Sequence, residues 1–287
     1  MKRATWGGFL VAAAFALAAC SLTRVAYNNA DTVARFMVDS YLDLDDAQSK
    51  DLSAHMARLH QWHRANKLPV YAALLRSASQ RAARGITVED VAWGLANVRA
   101  RYRRLAAGAA EEAAPVLATL GTPQLAALER RFAEKNEKYA KKYLASDDGG
   151  RRRAQLDRAV KRIQDFTGDL TREQEALVER FVLSHERHVV LRFEDRRRWQ
   201  RDALSLLGGH AGVGEIGERL AESFRRPELR RSAEFLREDR RWDEDLARLI
   251  ADLDRTLSME QRARLVRRLE DYADDFAALA GRKGEAT

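Results

Sequence analysis

Apolar residues recur along this chain at the spacing of a helix face. Near the end, Leu265, Leu269, Tyr272, Phe276 and Leu279 follow one another at steps of four and three. Leu52, Met56, Leu59 and His63 do the same early in the chain, as do Leu246, Ile250, Leu253 and Leu257. Residues three and four apart share one side of a helix. No stretch alternates apolar and polar residues long enough to make a strand. Alanine, leucine, arginine and glutamate dominate, and all favour helix. The pattern predicts an all-α protein, an elongated or arched multi-helix bundle.

The helices are expected to start alike. Leu44-Asp45-Asp46-Ala47-Gln48, Leu170-Thr171-Arg172-Glu173-Gln174 and Leu257-Ser258-Met259-Glu260-Gln261 each place a capping residue behind a leucine and a glutamine three residues on. In such a box the cap oxygen takes an orphan N–H and the glutamine reaches back to the cap amide. Thr87-Val88-Glu89-Asp90 and Leu120-Gly121-Thr122-Pro123-Gln124 are variants, the second with proline at a position where its missing N–H costs nothing. The starts are irregularly spaced, which excludes a solenoid. Breaks are expected at Leu68-Pro69, Gly85, Gly121, the turn 147–150, the stretch 208–217 and Arg226-Pro227. The run from Thr171 to Leu207 holds no Gly or Pro and, if helical throughout, spans about 55 Å. The expected body is 41–280, with halves 41–146 and 151–280, followed by a frayed tail at 281–287.

The first twenty residues read differently. A positive start, Met1-Lys2-Arg3, precedes an apolar run from Phe9 to Ala19 that is too short to span a bilayer, which takes roughly 20 apolar residues. Leu17-Ala18-Ala19-Cys20 resembles the lipobox of bacterial lipoproteins. That resemblance implies a signal peptide at 1–19 and covalent lipid on Cys20; residues 20–40 are then expected to be a lipidated tether with some helix. Ser21, not Asp, follows the cysteine; by resemblance to sorting in enterobacteria this implies the outer membrane, facing the periplasm. Cys20 is the only cysteine, so no intrachain disulfide and no Cys-based zinc site can form. No other cofactor is expected.

The chain carries 51 basic and 43 acidic residues, a formal net charge of +8. Export removes nucleic acid as a partner. Anionic headgroups, lipopolysaccharide and acidic unfolded chains remain. The blander reading is a set of solvated helix faces, since the arginine runs lie mostly among Glu and Asp.

Candidate chemistry is sparse. His60 and His63 are three apart on one helix, and His185 and His188 on another. Such pairs on facing helices can hold a metal, although His63 and His185 also fall on apolar stripes where a packed histidine is commoner. Trp62, His63 and Arg64, with Tyr71 after Pro69, form the densest aromatic and polar cluster. It is either a groove in which Arg64 and His63 hold a carboxylate or phosphate, or a packed corner. Gly212-Val213-Gly214-Glu215-Ile216-Gly217 matches G-x-G-x-x-G but follows a helical pattern, so it is expected to be a flexible loop. No Gly-x-Ser-x-Gly elbow and no His-Glu-x-x-His motif occurs, and nothing singles out a catalytic residue.

The Leu-Thr/Ser-x-x-Gln starts resemble the LTxxQ motif of the Spy-like periplasmic chaperones, small helical proteins with basic concave faces. Tyr27-Asn28, Leu44-Asp45 with Gln48, Trp62-His63-Arg64, Leu68-Pro69 with Tyr71-Ala72, and the ending Leu257-Ser258, Gln261-Arg262, Tyr272 and Asp275-Phe276 resemble an uncharacterised family of proteobacterial lipoproteins. That resemblance implies export, lipidation and a helical body, and no activity. Three readings follow. The first is a membrane-anchored binding protein, chaperone-like or an adaptor for envelope proteins. The second is a structural or ligand-binding lipoprotein for cell wall, lipopolysaccharide or lipid. The third is a metal- or carboxylate-dependent enzyme.

Overall fold

The computed structural model describes residues 23–144 and 148–281; the expected signal peptide at 1–19, Cys20 and the expected tail from 282 lie outside them. The described residues form a helical bundle with no strand. In chain order the helices are α1 (23–28), α2 (Ala30–Leu42), α3 (Asp46–Asn66), α4 (Leu68–Arg84), α5 (Val88–Leu117), α6 (Thr122–Tyr143), α7 (Asp148–Thr167), α8 (Arg172–Ser184), α9 (Glu186–Gly208), α10 (Val213–Arg225), α11 (Ala233–Thr256) and α12 (Met259–Gly281). A 3-10 turn, Pro227–Leu229, precedes α11. None of the described helices is long and apolar enough to cross a membrane.

The helices pair in the same way twice. Helix α2 packs on α3 as α7 packs on α8, α3 on α5 as α8 on α11, and α2 on α6 as α7 on α12. The last helix of each half crosses over, α12 onto α4 and α6 onto α9, while α5 and α11 meet in the middle. The stretch expected to be a tether is thus helical from 23 onward and packs on the body. Helix α10 is the extra element. It wedges between α5 and α9, where Ile216, Leu220 and Ala221 meet Ala107, Ala110, Ala114, Ala203 and Leu206.

The capping glutamines explain the pairing. In each start the glutamine Oε1 accepts the cap amide, at 3.1 Å for Gln48 and Asp45, 2.9 Å for Gln124 and Gly121, and 3.0 Å for both Gln174 with Thr171 and Gln261 with Ser258. The amide nitrogens then reach across. Gln124 donates to Gln48 Oε1 at 2.7 Å, and Gln174 and Gln261 donate to each other at 3.0 Å. Their remaining hydrogens go to backbone carbonyls: Gln48 to Thr119 and Gln174 to Thr256, Gln124 to Asp43 and Gln261 to Asp169. Each side chain uses both donors and its acceptor oxygen, so it can be buried at little cost; Gln174 is fully enclosed. Two helix starts are locked together at each end of the repeat, α3 with α6 and α8 with α12.

Three sequence expectations are corrected. The run Thr171–Leu207 is not one helix. His185 Nδ1 donates to the Phe181 carbonyl at 2.8 Å, taking the acceptor that its own backbone N–H would use, and that N–H turns to Val182 instead. The helix breaks there into α8 and α9. The stretch 213–217 is not a flexible loop but the first turns of α10, capped at Gly212. A Cβ on Gly217 would sit 3.3 Å from Ala114 Cβ, so the glycine lets α10 approach α5 closely. Gly149 and Gly150, expected in a turn, lie in the first turn of α7.

Candidate functional site

The two histidine pairs end up in the two halves. In the first, Tyr27 of α1 inserts against α3. Its hydroxyl lies 2.8 Å from His63 Nδ1, and its ring centroid is 4.8 Å from that of His60. Tyr71 meets His63 edge-on at 5.4 Å and Phe276 of α12 at 6.2 Å. Arg64 lies over Tyr27 and donates to Asn28 at 2.7 Å. Of the predicted quartet, the fold gathers His63, Arg64 and Tyr71 around Tyr27. It leaves Trp62 outside, 39% exposed under the ammonium of Lys67.

Burial governs the ionisation of this cluster. Desolvation, helped by the neighbouring His60 and Lys67, lowers His63 to about 4. Desolvation also lowers His60 and pushes the Tyr27 hydroxyl up to about 12 against the opposing pull of Arg64. The Nε2 atoms of His60 and His63 are buried without a hydrogen-bond partner.

In the second half a cavity stays open among α6, α7, α8, α9 and α11. Its volume is ≈ 360 Å³, within the range of small-ligand sites. Tyr139 and Tyr143 of α6, Arg158 and Arg162 of α7, Arg192 of α9 and Trp242 of α11 line it, with His185 and His188 at its base. No Asp or Glu belongs to the lining. The Arg158 guanidinium lies 4.8 Å over the Tyr143 ring, and its Nη2 is buried with no hydrogen-bond partner. Tyr139 stacks flat on Phe193 at 5.4 Å, the counterpart of Tyr71 on Phe276.

His188, Arg192 and Trp242 form a wall shared with a second cavity, of ≈ 400 Å³, against α5 and α10. His188 is sandwiched between Phe235 and Trp242 and donates from Nε2 to Asp239 at 3.1 Å. Burial alone would raise the Asp239 carboxyl. The hydrogen bond from His188 and the charges of Arg99 and Arg231 outweigh it and hold the group below the ordinary carboxylate range. Here the arginines other than the shared Arg192 are paired: Arg99 with Asp243, Arg230 with Asp195, Arg231 with Asp195 and Asp239, Arg103 with Glu228. The two cavities differ in kind. One has most of its charges paired; the other presents guanidinium groups and aromatic faces to whatever enters.

An unpaired, partly buried guanidinium calls for an oxygen anion, and its planar fork suits carboxylate or phosphate. The tyrosines and Trp242 add apolar area around it. Among the described residues no group of three or more His, Cys, Asp or Glu side chains is placed to hold a metal. His185 and His188 instead serve the break and the wall described above.

The sequence reading passed over Tyr139, Tyr143, Arg158, Arg162, Arg192 and Trp242. Tyr139 with Tyr143, and Arg158 with Arg162, are i, i+4 pairs, a signal of shared faces on two successive helices. Their convergence depends on how α6 and α7 fold against α9.

No curated protein and no solved structure matches this chain. A family model does match it, over residues 40–236, which cover most of the helical body, and the chain belongs to that family of unknown function, DUF6279.

Proposed function

We propose that this chain is a lipid-anchored, periplasm-facing binding protein whose open second-half cavity holds an anionic group carried on an apolar or aromatic body. The observation that carries this reading is the acid-free lining: Arg158, Arg162 and Arg192 with Tyr139 and Tyr143, and a buried guanidinium nitrogen without a partner. The anchor rests on the lipobox ending at Cys20, and the motif Leu-Thr/Ser-x-x-Gln supports kinship with helical holders of envelope proteins. The leading ligand is therefore an acidic, aromatic-containing segment of an envelope protein. Wall polymer, lipopolysaccharide or lipid offers the same phosphate or carboxylate chemistry and is the second reading.

A photo-crosslinking residue at Tyr143 or Arg192, in living cells, separates these. Many unrelated envelope proteins indicate a holder, one or two stoichiometric proteins an adaptor, and glycan or lipid adducts the second reading. In each case the Arg158→Gln, Arg162→Gln double variant is expected to lose the adduct while keeping its helical circular dichroism. Capture in the wild type is also expected to weaken with salt. Unchanged capture by the double variant, or no adduct at either position, overturns the proposal.

A further inference from the structure

Helices α1 and α2 run as one continuous helical surface. The Asn29 amide bonds to the Val25 carbonyl at 3.2 Å and the Val33 amide to the Asn29 carbonyl at 2.9 Å, so the phase carries through the turn between them. Val25, Val33, Phe36 and Met37 point away from the bundle along this surface, 56%, 54%, 75% and 56% exposed. At one hundred degrees per residue they fall in a single arc. The other exposed positions within that arc, Ala26, Asn29 and Ser40, and Thr32 at its edge, are uncharged. This is an unusual patch for a chain in which 33% of residues are charged. Large exposed apolar side chains elsewhere are scattered along the chain, which is ordinary; a contiguous uncharged face is not.

The second half shows that packing does not demand this face. Counted back from the last helical residue, Leu42 in α2 and Thr167 in α7, the positions of Val33, Phe36 and Met37 are held in α7 by Arg158, Lys161 and Arg162. The inward positions Ala34 and Val38 correspond to Ala159 and Ile163, apolar in both halves. The repeat keeps an apolar inner face on this helix, while the positions of Val33 and Met37 are taken by Arg158 and Arg162, which line the open cavity, and that of Phe36 by the exposed Lys161.

We infer that the outer face of α1 and α2, centred on Val33, Phe36 and Met37, lies against the bilayer interface as a second membrane contact beside the lipid. The occupant is fixed by position. Thr23, the first described residue, is three residues after Cys20, a reach of about 10 Å when fully extended. Acyl chains on Cys20 therefore hold the Thr23 end of this face near the headgroup layer, and Phe36 and Met37, about 20 Å further along, meet lipid at high effective concentration when α1 and α2 lie along the bilayer. The contact rests on the lipid-anchor reading. It orients the body, and the bilayer would cover the apolar arc.

The lipidated protein supplies its own labelling scheme. Cys20 is the only cysteine, and lipid blocks its thiol, so an introduced cysteine is the only free one. Met37→Cys and Met259→Cys, each labelled with an environment-sensitive fluorophore, are placed in vesicles of phosphatidylethanolamine and phosphatidylglycerol with and without a nitroxide lipid. Met259 starts α12, about 24 Å along that helix from Asp275, which pairs with Arg24 of α1. The Met37 label is expected to shift to the blue and lose fluorescence to the nitroxide lipid, the Met259 label to do neither. Adding Phe36→Asp to the Met37 variant is expected to abolish both changes while the protein stays in the membrane fraction. Equal exposure of the two labels to water overturns the inference. Fatty-acid incorporation into the wild type but not Cys20→Ala checks the anchor separately. A lipidated chain with a wet Met37 label removes only the second contact; an unlipidated chain removes the anchor and this contact with it.

Discussion

The two halves use the same helix pairing to opposite ends. In the first, Tyr27 and the rings of His63, Tyr71 and Phe276 fill the space between α1, α3, α4 and α12. In the second, where α8, α9 and α6 correspond to α3, α4 and α12, no described residue takes the place of Tyr27, and a cavity between them, α7 and α11 is lined with Arg158, Arg162, Arg192, Tyr139 and Tyr143. One half is closed on neutral imidazoles; the other lines its space with arginines and no carboxylate, Asp239 and Asp245 standing behind His188 and His185. A repeated scaffold fixes the distances between helices, and a few side chains then decide whether a site is core or cavity. The glutamine locks are common to both halves, so the difference is not in the frame.

Breaking the frame has the largest expected effect. Gln174→Ala removes a capping bond and strands the Thr256 carbonyl and the Gln261 amide, and about 3 kcal/mol of stability is expected to go. Gln48→Ala is expected to cost slightly less, because Gln48 is 8% exposed whereas Gln174 is fully buried. Urea unfolding of both variants checks this; a loss confined to one corner means that the two locks are not equivalent.

Opening the closed half comes next. Tyr27→Ala is expected to cost about 2 kcal/mol, less than the roughly 3–5 kcal/mol of a fully buried aromatic. It should also let water reach His60 and His63, measured as a rise in their pKa by NMR.

The pH profile separates the halves without mutation. Imidazole in the unfolded chain titrates near 6.5, while His63 in the fold titrates near about 4. As pH falls from 6.5 the unfolded chain takes up the proton first, so stability is full above 6.5 and declines down to about 4. Asp239 in the second half is depressed, so its contribution is present above the unfolded carboxylate pKa and is lost only as pH falls through the lower folded value. Urea midpoints between pH 7 and the acid limit should show the first decline in the wild type and a flatter one in His63→Leu. An unchanged slope in that variant would remove the burial account.

The smallest expected effect is in the open half. Arg158→Met deletes a charge that has no carboxylate beside it and keeps the stem that covers Tyr143, so stability should move by no more than about 0.5 kcal/mol. A large loss would mean that Arg158 supports the fold and is not held ready for a ligand.

Local patterns account for what was legible in the sequence. The apolar stripes and capping boxes gave helix class, the main starts and the breaks at Pro69, Gly85, Gly121 and Pro227, because caps and turns are made within a few residues. The break at His185 was missed because it comes from a side chain competing for one carbonyl, and the composition of 171–207 carries no trace of that. The repeat was also missed. Its signature, Asp-Leu-Asp/Thr-x-x-Gln and Thr-Leu-Gly/Ser-x-x-Gln, each present twice, is visible at Asp43, Asp169, Thr119 and Thr256 once the locks are seen. Unequal spacing between the copies hid it.

By itself, then, the sequence determined the helical class and the boxed starts of α3, α5, α6, α8 and α12, since these depend on neighbours along the chain. Only the tertiary structure decided that α12 lies on α4 and α6 on α9, that Tyr27 closes one site, and that Arg158, Arg162 and Arg192 meet in another. Those residues are far apart in sequence and on different helices. Which faces meet is settled by the glutamine locks and by the crossing of the last helix of each half, contacts that involve the whole bundle at once.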